Sequence, residues 1–480
     1  MSDTGVTVKK SEDLSEWYTQ VILKSKLADY APIKGCMIFR EDSYAIWEKI
    51  QEIFNMKIKA TGHRNVYFPL FIPESFLKKE AEHFQGFVPE VAWVTQGGDS
   101  PLEEKLAIRP TSETIMYATF AKWIRSWRDL PIKINQWCSV VRWETKATRL
   151  FLRTREFLWQ EGHTAHVTKE EADKEAMEIL NAYKDVIESY LAVPVLVGVK
   201  TEMEKFAGAL YTLTLEAMMP DGKALQMGTS HQLGQHFSKV FDIKFIGEDE
   251  KEHDVWQTSW GFSTRMIGAL VMVHGDDKGL VLPPRIAPTQ VVIVPIPYKG
   301  AEAEAIAAKA KELFEGLQKK GIAVVLDDRG EYTPGWKFNE WELKGVPLRV
   351  EIGPRDVKQK QVMLVRRDTF QKTVAKEEEA VNAVEKLLGD IQSNLFNRAK
   401  KSLEESITTV KDYDEFKEVL ASKGGFLRAS WCADQKCEEK IKDETGATIR
   451  IVPFEKETPF SKCVRCGNEA KEVVYFAKSY

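Results

Sequence analysis

The chain is expected to be α+β: a large amino-terminal domain on an antiparallel sheet, then an α/β domain, then a small carboxy-terminal α+β domain that binds metal. Three observations carry that expectation. Between Val140 and His166, two runs rich in strand formers flank a stretch crowded with charge and hydroxyls, as when a strand turns back on its predecessor. Past the stiff connector Pro283-Pro284-Arg285-Ile286-Ala287-Pro288, β runs and helical runs alternate at lengths suited to a small mixed sheet. Near the carboxy terminus, Cys432 and Cys437 are followed by Cys463 and Cys466, two close pairs of thiols. Domains are therefore expected at 1–283, 284–400 and 401–480.

Composition narrows the function classes. With 43% hydrophobic and 29% charged residues and no apolar run long enough to cross a bilayer, a membrane protein is not expected. The polar first dozen residues lack the apolar core of a secretory signal, so the protein reads as cytoplasmic. A net charge of -4 argues against a coat of positive charge, yet leaves room for local basic patches that grip nucleic acid. Six cysteines in such a chain do not read as a disulfide framework.

Taken in order, Ser11 or Asp13 opens an amphipathic segment that Pro32 to Gly35 closes. A second helix, Ser43 to Met56, places Ile46, Ile50, Ile53 and Phe54 on one face. Val66 to Pro73 reads as a strand whose prolines, Pro69 and Pro73, confine it to a sheet edge or a bulge. At Thr111-Ser112-Glu113 a hydroxyl and a carboxylate either open a helix or hold a cation. Arg142 and Glu144, two apart on a strand, share a face, as do Arg153, Arg155 and Phe157. Guanidinium groups and an aromatic ring on one platform suit a nucleotide, the forked cations for phosphate and the ring for the base; a surface hairpin laced with ion pairs is the alternative.

Lys169 to Tyr190 reads as a solvated helix and Val193 to Val199 as β. Gln226 to Gly234 packs small hydrogen-bonding residues around two glycines, where a ligand can approach the backbone; a polar turn would look the same. Trp256 to His274 reads as a strand followed by an apolar helix from about Thr264. That places Arg265 at a junction where the helix N-terminus adds partial positive charge. Beyond the connector, β runs at Val291–Ile296, Ala323–Leu326, Leu348–Ile352 and Gln361–Arg366 alternate with helices at Ala301–Lys320 and Trp336–Leu343. The four late cysteines suit a closed tetrahedral Zn2+ site, with free core thiols as the alternative.

Val141-Arg142-Trp143-Glu144, a loop, and Arg153 through Phe157 resemble motif 2 of the class II aminoacyl-tRNA synthetases. Trp159-Gln160-Glu161-Gly162-His163 resembles the prolyl-tRNA synthetases in particular, and Ala31 through Cys36 resembles their archaeal and eukaryotic-type branch. The helix leading to Pro69 resembles motif 1, the usual dimer interface. Ser259-Trp260-Gly261-Phe262-Ser263-Thr264-Arg265 resembles motif 3, with Thr264 where the family at large often has Glu.

The resemblance implies the class II synthetase fold with a class IIa anticodon-binding domain and a carboxy-terminal zinc domain. It implies a homodimer that activates proline with ATP and Mg2+ and transfers it to tRNA(Pro). Arg142 would meet the α-phosphate and the proline carboxylate; Arg265, and Arg153 more loosely, the outer phosphates; Glu144 the adenine amino group; and Phe157 the adenine ring. Thr154, Gln226, Thr229 and Ser263 complete the implied ATP site, and Thr111, Glu113, Arg142, Trp159, Glu161, His163, Phe206, His231 and Ser259 the proline pocket. Glu342, Arg349 and Arg366 would read the anticodon, with Arg366, Arg367 and Lys372 for phosphate. Cys432, Cys437, Cys463 and Cys466 would hold structural Zn2+, and Tyr480 matches a terminal tyrosine whose carboxylate lies near the active site. Roughly a hundred residues separate His166 from Ser263, too few for an editing insertion, so activation of alanine or cysteine would go uncorrected. Two alternatives stand beside this: another class IIa synthetase, or a tRNA-binding paralogue without catalysis.

Overall fold

The two runs between Val140 and His166 do pair, in the computed structural model, which describes residues 5–81, 90–145, 147–296 and 301–480. Of the stretch read for a secretory signal, residues 1–4 lie outside the described residues. Seven strands form the central sheet: β1 (Arg64–Asn65), β2 (Ile132–Val141), β3 (Glu156–His166), β4 (Leu196–Val199), β5 (Tyr211–Met218), β6 (Ala224–Gly234) and β7 (Trp256–Ser263). Their spatial order is β1-β2-β3-β7-β6-β5-β4, antiparallel throughout except for the short parallel β1–β2 pair.

One face of this sheet is greasy and closed. Helices Glu41–Ala60, Lys169–Asp185 and Arg265–His274 contribute buried residues to the core that covers it, among them Trp47, Phe54 and Tyr183, which pack against Trp260 and Phe262 of β7. The packing leaves no slack at Gly162, where a Cβ would come within 2.0 Å of the Trp260 ring. Strand alternation turns the residues on either side of Gly162 to the opposite face, and that face is open.

Two sequence expectations fail here for physical reasons. Val66 to Leu70 is not strand; only Arg64–Asn65 and Phe71–Pro73 are. Pro69 has no N–H to give a ladder, and the Phe68 N–H bonds the Gln136 side chain instead. Arg142 and Glu144 do not share a strand face either, because β2 ends at Val141 and Glu144 sits in a turn. Arg153 and Arg155 likewise precede β3. The intervening loop is folded on itself, with Arg149 and Arg153 exchanging backbone hydrogen bonds of 2.7 and 2.9 Å, and Arg155 N donating to Gly35 O.

Between His166 and β7 the chain is consumed by helix Lys169–Asp185, three sheet strands, helix His236–Phe241 and a hairpin, so no extra domain is inserted. The second domain is a five-stranded mixed sheet, parallel at Val324–Leu326, Val291–Pro295 and Leu348–Ile352, then antiparallel through Gln361–Arg366 and Lys372–Lys376. Helices Ala301–Lys319 and Ala380–Glu405 supply much of its core, and the second of these runs straight through the boundary expected at residue 400. The last domain has four strands around a separate core that includes Cys432, Cys437 and Cys463.

Two core histidines make stability pH-dependent. Burial pushes His166 down to about 4 and His274 down to about 3; each is only 2% exposed. The unfolded chain protonates them near 6.5, so between pH 6.5 and 4 it binds more protons than the folded chain, and falling pH favours unfolding. Together they should add about 2.5 kcal/mol per pH unit to the loss near pH 5. Urea midpoints measured across that window check this, and a flat profile would contradict it.

Candidate active site

The open face of the central sheet carries its polar residues in rows, because antiparallel register sets directly opposed residues on the same side. One row runs His163, Ser259, His231, Thr212 across β3, β7, β6 and β5. Two residues along, the next runs Gln136, Glu161, Gly261, Thr229. A third brings Cys138, Trp159 and Ser263 together. The rows floor a cleft of about 510 Å³. Residues from outside the sheet complete its rim: Thr111 and Glu113 at the start of helix Glu113–Trp123, Arg142 and Glu144 after β2, Phe206 from the loop before β5, and Arg265 at the start of its helix.

At one end of the cleft, acid and imidazole converge. Ligand atoms of Glu113, Glu161 and His163 lie within 4.8 Å of one another. Glu161 accepts from Ser112 N (3.0 Å), the Ser112 hydroxyl and Gln136 Nε2 (3.2 Å), and faces His163 Nε2 at 3.2 Å. Burial works against charge on Glu161, yet His163 and Ser112 outweigh it and hold the carboxyl below its usual range. The Tyr117 hydroxyl fixes His163 from the other side, 3.0 Å from Nδ1. Thr111 donates to Glu113. His231 is clamped by Thr212 (2.9 Å) and Thr229 (3.0 Å), lies against Phe206 with ring centroids 4.7 Å apart, and is pushed down to about 3 by burial, hence neutral. The Ser259 hydroxyl is buried and finds no partner among the described residues. Two carboxylates beside a neutral aromatic wall make a seat for an organic ammonium with a small apolar body.

The other end is cationic. Arg265 donates to Leu152 O (3.1 Å) and Gln226 O (3.2 Å), and Arg142 donates weakly to Pro110 O (3.4 Å). Neither has a carboxylate within 4 Å among the described residues. Burial, and then Arg142, bring Arg265 down to about 10, and burial lowers Arg142 as well. Paired guanidinium groups facing one cavity with no direct ion pair among the described residues are what a polyphosphate needs. The Arg142 guanidinium stands 5.3 Å from the Phe157 ring centroid and 5.5 Å from that of Trp159.

The cleft lining includes every residue expected for the amino-acid pocket, together with Glu144, Phe157, Gln226, Thr229, Ser263 and Arg265 of the nucleotide set. It does not include Arg153 or Thr154. Arg153 is exposed, and the Thr154 hydroxyl is turned onto Glu156 O at 2.6 Å. Sequence reasoning passed over Ser112, Gln136, Cys138 and Tyr117, which support Glu161 and His163 from beneath, and Thr212, which is visible only once the β5–β6 register is known.

Comparison with known families agrees with this geometry. Residues 93–274 match the family described as "tRNA synthetase class II core domain (G, H, P, S and T)", 290–387 the "Anticodon binding domain", and 413–480 "Prolyl-tRNA synthetase, C-terminal". The proline–tRNA ligase of Natranaerobius thermophilus is 56% identical over 98% of this chain and 97% of its own length. Proline–tRNA ligase 2 of Clostridioides difficile is 55% identical over 98% and 97%. The chain belongs to the prolyl-tRNA synthetase family. A crystal structure of the prolyl-tRNA synthetase from Cryptosporidium parvum, complexed with halofuginone and AMPPNP, superposes with a TM-score of 0.95 at 47% identity, covering 100% of this chain and 98% of that one.

Two further groups of expected residues are seen in this synthetase. Cys437 and Cys463 bring their Sγ atoms to 3.8 Å, Cys432 and Cys466 to 3.7 Å, and all four lie within 4.8 Å of one another. Disulfides would be far shorter, whereas four sulfurs about 2.3 Å from a tetrahedral Zn2+ stand about 3.8 Å apart, so the residues fit the ion. In the anticodon-binding domain, Glu342, Arg349 and Arg366 meet around one small cleft, but their charges are spent: Arg349 pairs with Glu342 and Glu351, each at 2.9 Å, and Arg366 with Asp368 at 2.7 Å. Arg367 is buried and ion-paired to Asp276 at 2.6 Å, which ties the two domains together and keeps it from phosphate.

Proposed function

We propose that this prolyl-tRNA synthetase activates proline with ATP in the cleft described above and passes it to tRNA(Pro). The observation that carries the reading is the polarity of one cavity, anionic at Glu113 and Glu161 and cationic at Arg142 and Arg265. Proline enters with its ammonium toward Glu113, Glu161 and Thr111 and its ring against Phe206, His231 and Trp159. Its carboxylate then points along the sheet at Arg142. Magnesium-bound ATP is the co-substrate; the ion neutralises phosphate charge, and Arg265 takes the outer phosphates. Attack of the carboxylate on the α-phosphorus builds negative charge on phosphate oxygens. Fixed guanidinium groups in a water-poor cleft stabilise that charge without reorganising, and the two substrates are held in line. Glu144 and Phe157 are the groups proposed for the adenine.

The pocket separates proline from smaller amino acids by little more than apolar contact, worth about 1 to 3 kcal/mol per methylene, and no domain is inserted between His166 and β7 to correct errors. Pyrophosphate exchange should therefore depend on proline and show a weaker response to alanine and cysteine. Exchange that ignores proline, or serves threonine, serine, glycine or histidine better, would refute the assignment.

Three further assignments belong to the same reading. Cys432, Cys437, Cys463 and Cys466 hold structural Zn2+, closed to substrate. The enzyme works on tRNA in the cytoplasm, with Glu342, Arg349 and Arg366 reading anticodon bases after exchanging their internal partners. It acts as a homodimer: Tyr67 and Phe71, which are 70 and 42% exposed, stand beside and at the edge of the three-stranded sheet that carries Phe71–Pro73, and uncovered aromatics of this kind mark interfaces. Sedimentation equilibrium decides the last point, and a monomer at micromolar concentration would count against it.

A further inference from the structure

We infer that the carboxy-terminal domain holds the rear wall of the amino-acid pocket in place, with Thr201, Glu438 and Arg450 acting as positioning residues for the loop that ends at Phe206. The inference rests on the reading that this end of the cleft takes proline.

The loop has two sides. Toward the cleft it presents Glu204, Lys205 and Phe206. Phe206 lies on His231, and its N–H donates to Thr212 Oγ1 at 3.0 Å, the same hydroxyl that sits 2.9 Å from His231 Nδ1. A shift of the loop therefore moves the ring, the threonine and the imidazole together. Its other side is bolted to the last domain. Thr201 Oγ1 donates to Glu438 Oε1 at 2.8 Å, and both residues are buried. Glu438 stands on helix Gln435–Thr445, next to Cys437. Glu204 accepts from Arg450 Nη1 (3.4 Å) and Lys442 Nζ (3.5 Å) of the same domain.

Behind the loop the anchorage is stiff. Arg450 grips Glu216 of β5 at 3.0 and 3.2 Å, and Glu216 also takes Lys200 Nζ at 2.6 Å, a buried cluster with two cations and one anion. Val199 and Val452 exchange backbone hydrogen bonds, both 2.9 Å, so the outer edge of β4 is bridged by the last domain. The approach is close enough that a Cβ on Gly198 would come within 2.4 Å of Val452 O. Inside the loop, Lys205 N and Glu204 N both donate to Thr201 O, at 2.9 and 3.2 Å. Thr201 is thus the fixed end from which the turn to Phe206 is measured. Without the Glu438 acceptor, the turn keeps its internal bonds but loses its reference point, and the pocket samples wider states that bind a small substrate less well.

The test is a kinetic split. Thr201→Val keeps the side-chain shape and removes the donor, so KM for proline should rise about five- to tenfold, with kcat and KM for ATP unchanged within about twofold. Thr201→Ser restores the donor and should restore KM. Glu438→Gln, which still accepts from Thr201, should behave like the parent enzyme, and Glu438→Leu like Thr201→Val. This second pair gives the same contrast if one variant folds poorly, with zinc stoichiometry and melting temperature reporting the fold. Equal changes in both KM values, or none in either, would overturn the inference. Parent enzyme whose exchange ignores proline would instead sink the pocket assignment, and the inference with it.

Discussion

Arg142→Ala should cut proline-dependent pyrophosphate exchange by about a thousandfold, roughly 4 kcal/mol of transition-state stabilisation, while the protein stays folded and still binds tRNA. The size follows from the absence of a direct ion-pair partner among the described residues. Arg142 is in contact with Phe157 and Trp159, has no carboxylate within 4 Å among the described residues, and lowers Arg265 by its own charge. Its guanidinium is therefore held ready at a cost, and that cost is recovered only when anionic charge arrives. Removing it relieves repulsion on Arg265 but gives up attraction to Glu144, Glu113 and Glu161, so the melting temperature should change little. An unchanged melting temperature separates a catalytic loss from a misfolded variant. Near-parent exchange in Arg142→Ala would show that some other cation carries the transition state.

Stripping the metal, or replacing one ligand as in Cys463→Ser, should unfold the carboxy-terminal domain, and about 10 kcal/mol or more of folding free energy should go with the ion. Three of the four sulfurs sit inside the core formed by Trp431, Ile441, Val464, Val474 and Phe476, where thiols crowded to less than 4 Å replace neither the bonds nor the charge balance of a metal. Atomic spectroscopy should find one zinc per chain. Chelation should add an early thermal transition distinct from that of the catalytic domain. A metal-free chain that melts with a single unchanged transition would refute the assignment.

Much of this site was readable one strand at a time. Glu161 and His163, two apart, had to share a face of any strand that held them, and they do. Arg265 at a strand-to-helix junction needed only the change in hydrophobic period. What could not be read was anything set by register. The row His163, Ser259, His231, Thr212 exists because four strands distant in sequence pair in one register, and no local pattern announces which residue will stand opposite which. Charge was misleading for a different reason. Arg349, Arg366 and Arg367 look in sequence like free cations for RNA, but each has an acidic partner brought close by the fold, and Arg367 finds its own in another domain. Thr154 was named from its neighbours in a motif, and its hydroxyl is turned to its own backbone.

The pairing of Val199 with Val452 also bears on how the molecule is made. The catalytic sheet leaves the ribosome with one border uncovered, and the segment that seals it, around Val452, is synthesised long after β4. Until then β4 is an open template for any extended chain nearby. Chaperone demand should therefore be greatest before Val452 emerges, and truncation ahead of it should yield aggregates rather than a smaller working enzyme.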